Sequence, residues 1–219
     1  MPGKTDRSST LVSEGLTLAR YRGPIVKKSR RLGIPLSDKA ARIMEKRPNP
    51  PGQHGGKAGR KMSDYGRHLV EKQRFRYTYG LLEKQFRNYV RKAMAKTGVT
   101  GENLLQMLET RIDNLVYRAG FSHTIREARQ LVTHKHIMVD GKVINVPSFQ
   151  VKPGMKVQVR DDMQSNQQLR DAVGKSVNIP STYLDVSRPD LSFSLSQIPP
   201  RDMIPVELNE NMVIEFYSK

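Results

Sequence analysis

Between Thr100 and Arg160 the apolar residues change their spacing, and that change sharply limits the folds open to the segment. Leu104, Leu108, Ile112, Leu115 and Ala119 recur at steps of four, four, three and four, which predicts one amphipathic helix from near Thr100 to Gly120. Gly120 stands where a left-handed residue closes such a helix. A second helix opens at Thr124, whose hydroxyl can cap it while Glu127 reaches back. Ala128, Leu131 and Val132 form its buried stripe, which leaves Arg126, Arg129 and Gln130 more exposed. Then Ile137–Val139 and Lys142–Ile144 flank Asp140-Gly141, a hairpin signature. Val157 to Arg160 supplies a further strand after the turn Lys152-Pro153-Gly154. The segment reads as a small α+β unit of two helices and an antiparallel sheet.

The charge of the chain is distributed unevenly around this unit. Residues 1–100 hold 24 Lys and Arg against 7 Asp and Glu, residues 101–160 hold 9 against 5, and residues 161–219 hold 5 against 9. The segment charges of +17, +4 and −4 sum to the net +17 of the whole. An excess of this size repels itself in a compact monomer and favours a polyanionic partner. The first half is therefore the electrostatic footprint, and the acidic tail is expected to face protein, with Asp190, Asp202, Glu207 and Glu210 as contributors. No apolar run is long enough to span a membrane, and the cations lack the apolar face of a membrane-surface helix. With no cysteine, disulfides and thiolate metal sites are excluded, which fits a reducing compartment.

Residues 1–19 read as a flexible, solvated extension, rich in Ser, Thr and Gly and without the apolar region of a secretory signal. Arg20-Tyr21-Arg22 and Lys27-Lys28-Ser29-Arg30-Arg31 follow in the most basic part of the chain and are assigned to RNA phosphates. Ser37 caps a short helix to Lys46. Residues 48–61 hold too many prolines and glycines for helix or strand. Their backbone can approach phosphates closely, with Gln53, His54, Lys57, Arg60 and Lys61 at hand. The loop is no nucleotide-binding P-loop, because Pro51 and Ala58 stand where that motif needs Gly and a hydroxyl; at Gly174-Lys175-Ser176, Leu169 holds the place of the earlier Gly.

Ser63 caps a helix to about Arg76, and a second runs from Leu81 to Lys96 with Leu82, Phe86, Tyr89, Val90 and Ala93 inward. Tyr65, Phe75, Tyr77 and Tyr79 read as core, and the interleaved Arg67, Lys72, Arg74 and Arg76 as RNA ligands. Gln164 to Val173 reads as helical, prolines divide the following chain, and Met212 to Tyr217 reads as a final strand. His134 and His136 flank Lys135 with no third metal ligand, so they are expected to donate to phosphate or pack at the helix-to-strand turn. His54 and His68 have no catalytic partners, and no Ser-His-Asp order or carboxylate pair emerges. No enzyme, metal or cofactor is predicted.

Arg-Ile-Asp-Asn-Leu-Val-Tyr-Arg-Ala-Gly-Phe from Arg111, followed by Glu-Ala-Arg-Gln-Leu-Val-Thr-His from Glu127, resembles the αL RNA-binding domain named after ribosomal protein S-four. Further stretches extend the likeness to the bacterial-type S-four family: Arg20-Tyr21-Arg22-Gly23-Pro24, Pro51-Gly52-Gln53-His54-Gly55, Ser63-Asp64-Tyr65-Gly66, Glu83 to Tyr89 and Val213 to Lys219. The resemblance covers about Arg20 to Lys219. Many relatives carry a zinc-binding cysteine cluster near the N-terminal loop; this cysteine-free chain departs from them, so that zinc is ruled out.

The resemblance implies a structural constituent of the small subunit in the cytoplasmic ribosome, a primary binder of small-subunit rRNA that nucleates assembly. It also implies a place where messenger RNA enters, contact with ribosomal protein S-five and a part in accuracy. The expected architecture is a helical basic rRNA-binding domain of residues 20–99 with 188–219, and an inserted αL domain of residues 100–187. In the αL domain Arg118, Arg126, Arg129, Gln130, His134, Lys135 and Lys142 would meet RNA backbone. One rival is a pseudouridine-synthase-like RNA-modifying enzyme with an αL targeting module, but only about 110 residues precede the module. A free RNA-binding translational regulator is the other.

Overall fold

A computed structural model describes residues 21–56, 61–174 and 181–218. Its first helix, α1 (Ile25–Leu32), lies within the basic run that the sequence reading left as charge alone. Pro24 precedes it and Gly33, at φ 70°, ends it, so the start and stop signals were both present. α2 (Asp38–Lys46) is capped by Ser37, whose hydroxyl accepts from Ala40 N–H. The described part of 48–61 contains neither helix nor strand. α3 (Asp64–Thr78) and α4 (Glu83–Met94) follow, joined at Gly80.

The long helix expected from Thr100 is two helices, α5 (Thr100–Glu109) and α6 (Ile112–Arg118). The break is caused by the chain at 147–151, which lies against it as a strand-like segment. Arg111 bridges Gln150, Ile112 N–H donates to Phe149 O at 2.9 Å, and Val151 N–H donates to Thr110 O at 2.9 Å. Apolar spacing carries through the break, so periodicity could not reveal it. α7 (Ile125–Thr133) begins as expected: Thr124 Oγ accepts from Glu127 N–H, and Glu127 accepts from His123 N–H at 2.8 Å.

The hairpin β1 (Ile137–Val139) and β2 (Lys142–Ile144) turns through Asp140 and Gly141, both at positive φ. β3 (Lys156–Val159) pairs with β1. Two short helices, α8 (Asp161–Gln164) and α9 (Gln167–Gly174), stand where one was expected. β4 (Leu184–Ser187) and β5 (Ser192–Leu195) then complete an antiparallel sheet of order β2-β1-β3-β5-β4. A 3-10 turn, Arg201–Met203, leads to α10 (Glu210–Ser218).

α10 corrects the strand expected over Met212 to Tyr217. Val213 is buried, and Glu210, Ile214 and the Tyr217 ring lie toward α5 and α4, a helical spacing obscured by the largely apolar run from Met212 to Tyr217. Asn209 Oδ1 accepts from Met212 N–H in the first turn. The close seat of α10 needs Gly101, since a Cβ there would lie 2.5 Å from Glu210 Cγ.

Two apolar cores divide the molecule. One joins α6, α7, α9 and the sheet; the other joins α3, α4, α5, α10 and residues 204–208. Leu104, Leu105 and Leu108 belong to the helical core, and Leu191, Phe193 and Leu195 to the sheet core. The crossings therefore fall near Thr110 and after Leu195, in place of the expected 99/100 and 187/188. The expected extension, 1–19, lies outside the described residues.

Candidate nucleic-acid interface

Where the two cores meet, carboxylates are buried. Glu109 is 0% exposed and accepts hydrogen bonds from Tyr79 Oη (2.8 Å), Tyr183 Oη (2.9 Å), Asn114 Nδ2 (2.5 Å) and Arg118 Nη2 (2.9 Å). Burial alone would raise its pKa, but Arg118 and the hydroxyl donors outweigh burial and hold it below the ordinary carboxylate value. Burial, and next the Glu109 charge, push the Tyr79 and Tyr183 hydroxyls up. Asp113, also 0% exposed, is gripped from two sides: Arg111 Nη2 and Arg129 Nη2 each lie 2.7 Å from its Oδ2. Arg129 Nη1 also donates to Gly80 O at 2.6 Å, which ties α7 to the helical unit.

Several cations assigned to RNA are therefore committed within the fold. Arg118 and Arg129 were expected to meet RNA, Arg129 from an exposed position; their side chains retain only 15% and 13% exposure because Glu109 and Asp113 take their charge. Lys72 is buried, with Nζ 2.8 Å from Glu83 and 4.7 Å from the Phe216 ring centroid. Arg76 pairs with the same Glu83 at 3.2 Å, and Arg74 pairs with Glu71 at 3.1 Å while donating to Leu32 O. Burial would raise Glu83, but hydrogen bonds from Lys72 and Tyr217 leave it lowered. Each of these side chains was read as a ligand because a nearby arginine in sequence does not show the carboxylate that meets it in space.

Intermediate cases retain exposure. Arg126 Nη2 donates to Tyr21 O (2.9 Å) and Gly23 O, Arg30 Nε donates to Arg47 O and Asn49 O, and Arg67 pairs with Asp64 on the surface. Arg22, Lys27, Arg31, Gln53, His54, Lys61, Gln130, His134, Lys135 and Lys142 are exposed; Lys28 is half-buried near the Tyr21 and Tyr77 rings. Lys135 has φ 65°, in the turn between α7 and β1. His136 is partly buried there, with Nδ1 lacking a hydrogen-bond partner among the described residues. Arg20, Lys57 and Arg60 lie outside the described residues. Phe75, Tyr77 and Tyr79 are core, as expected, whereas Tyr65, expected there with them, is 66% exposed beside Phe216. In the tail Asp190, Asp202 and Glu207 are exposed, but Glu210 is paired with Arg201 at 3.0 Å and holds α10 in place.

The sequence reading missed one basic face. Phe86, Val90 and Ala93 turn α4 inward, which leaves Lys84, Arg87, Arg91 and Lys92 exposed, without an ion-paired carboxylate among the described residues. The inward positions were identified from the sequence; their complement on the helical wheel would have identified these four.

The two units of the structure correspond to two known families. Residues 20–109 match the family described as the ribosomal protein S4/S9 N-terminal domain, and residues 110–157 match the S4 domain, with the division at the α5–α6 break. The small ribosomal subunit protein uS4 of Chlorobaculum tepidum is 48% identical over 204 residues, covering 92% of this chain and 100% of the relative. The same protein of a Geobacillus species and of Geobacillus stearothermophilus is 46% identical over 202 residues, again 92% and 100%. Each relative is named as a ribosomal protein and none of these as an enzyme, so the pseudouridine-synthase-like reading is not favoured. Family matches on both units and full-length relatives agree: the chain belongs to the uS4 family of small ribosomal subunit proteins.

Proposed function

We propose that the protein is a structural constituent of the small ribosomal subunit that binds rRNA through the cations left free by its own fold. The observation that carries this is the separation of the two sets of charges. Once the internally paired arginines are set aside, Arg22, Lys27 and Arg31 near and on α1, the α4 face, and Lys135 and Lys142 around the αL hairpin remain exposed. Such cations release counterions when they meet phosphates, so affinity for small-subunit rRNA should fall steeply with salt, by about 0.7–0.9 in logarithmic slope per contact. Retention of the full chain by a small-subunit rRNA transcript across a salt series tests this. Salt-independent retention, or equal affinity for unrelated RNA, would overturn it. Cosedimentation with small subunits in a high-magnesium gradient separates this reading from a free regulator, which would stay near the top.

The finer roles rest on the family and on charge placement. A primary rRNA binder that nucleates assembly fits a chain with cations on both units. The basic loop 48–61 suits a place where messenger RNA enters. The exposed acids Asp190, Asp202 and Glu207 suit a protein neighbour such as S-five, since they repel RNA. Reversing those three charges should leave rRNA binding nearly intact and raise misreading in translation. Loss of rRNA binding with normal accuracy would refute the assignment.

A further inference from the structure

Between α1 and α3 lies a cleft of about 440 Å³, within the usual range for a small-ligand pocket. It is built by helical spacing: Lys28, Arg31 and Leu32 share one face of α1, while Leu69, Gln73, Arg76 and Tyr77 share one face of α3. Met62 stands at the same opening and is 50% exposed. Among the described residues, three cations and no carboxylate line the cleft. Arg76 Nη1 is spent on Glu83, yet its Nε is buried without an acceptor, and the Gln73 side-chain amide has no hydrogen-bond partner among the described residues. The Arg76 guanidinium lies 4.6 Å and Lys28 Nζ 5.6 Å from the Tyr77 ring centroid, which fixes both cations against an aromatic wall.

We propose that this cleft takes one unpaired nucleotide of the bound RNA, with phosphate at Lys28 and Arg31 and the base laid on Leu69 and Val70 beside the Gln73 amide. The inference rests on the rRNA-binding reading and gives it an address. An anion alone would explain the cations but not the apolar floor. An apolar peptide would explain the floor but would leave Lys28 and Arg31 without counter-charge. A nucleotide supplies a negative group and a flat apolar face together, and only an unstacked one offers that face to a protein. A duplex would present phosphate to the rim and leave the floor uncovered.

The test uses the full chain on a small-subunit rRNA transcript. A benzophenone side chain introduced at Met62, at the open end of the cleft, reacts with any nucleotide near it, and reverse-transcription stops then map the adduct. A dominant stop at one unpaired nucleotide is expected. Stops confined to base-paired stretches, or no RNA adduct while the transcript is still retained, would overturn the pocket and leave the rRNA reading intact. Failure to retain the transcript at all would overturn both. Independently, Gln73→Glu sets a carboxylate beside the base position, where it competes with the phosphate for the cations of the cleft, and should weaken binding about tenfold. Wild-type affinity in Gln73→Glu, with an unchanged melting temperature, would also refute the pocket.

Discussion

Arg118 and Arg91 are both helical arginines in a basic protein, and they serve opposite ends. Arg118 ends α6 with its guanidinium on a buried carboxylate that also receives two tyrosine hydroxyls. Arg91 lies on an open face of α4, among Lys84, Arg87 and Lys92, with no carboxylate paired to it among the described residues. What separates them is the acid within reach, not the residue type or the local charge density. The junction region uses positive charge to hold two cores together, and the α4 region holds it in readiness for a polyanion. The largest effects should come from breaking the first kind. Glu109→Ala strands a buried guanidinium and two hydroxyls, and should cost about 3–5 kcal/mol, read by denaturant unfolding. Arg91→Ala should stay within about 0.5 kcal/mol. Equal destabilisation by the two would erase the distinction.

The second kind should show the reverse pattern. Replacing Lys84, Arg87, Arg91 and Lys92 with Ala should make the salt dependence of rRNA binding shallower by about 3 logarithmic units per unit, with little change in melting temperature. Arg126→Glu and Arg129→Glu, though three residues apart, should separate as well. The first should lower rRNA affinity and spare the fold, while the second places a carboxylate against Asp113 and should destabilise it. If Arg129→Glu folded normally and lost only RNA affinity, Arg129 would belong to the RNA-facing set after all.

The sequence made the two-unit plan legible because its signals are local. Thr124 with Glu127, Asp140-Gly141 and the stripe of Ala128 and Val132 each act over four residues or fewer, and each is realised. Non-local features were not legible. The break at Thr110–Arg111 depends on a segment forty residues away, and α10 replaces a strand because Glu210 and Ile214, one helical turn apart, dock on α5 at Gly101. For the interface the same limit applies: Lys72, Arg118 and Arg129 read as ligands until Glu83, Glu109 and Asp113 are seen beside them. The α4 face is the exception, since its helical wheel was available throughout.

Titration sharpens the comparison from another side. Glu109 has a folded-state pKa below its ordinary value of 4.5, so its network stabilises the fold above that pH and loses the contribution as pH falls through the lowered value. Tyr79 has its pKa raised above 10.0, so stability is full below about that pH and is lost as pH rises beyond it. The melting temperature should therefore fall on both flanks. In Glu109→Gln the acid flank should flatten, because the group whose protonation drives it is gone. The cations on α4 have no carboxylate partner to protonate among the described residues, so removing them should leave the acid flank as steep as before. An acid flank unchanged in Glu109→Gln would place the acid-sensitive group elsewhere.

The smallest effect, and the one that most finely tests the division, concerns the loop from Pro50 to Lys61. Lys57, Arg60 and Lys61 place three positive charges within five residues, and Lys61 is exposed. If these belong with the α4 cations, replacing all three with Ala leaves the melting temperature unchanged. What they hold is then decided by which function fails. Cations that anchor only rRNA would, when removed, impair subunit assembly. Cations that grip incoming messenger would leave assembly normal and slow ribosomes at a stable hairpin, where strands must be held as they separate, while sparing unstructured messages. The second outcome is expected, because a sequence this rich in glycine and proline can follow a moving strand more readily than it can fix a static one. Passage of the hairpin at the wild-type rate, or failure to assemble, would return this loop to the rRNA-binding surface.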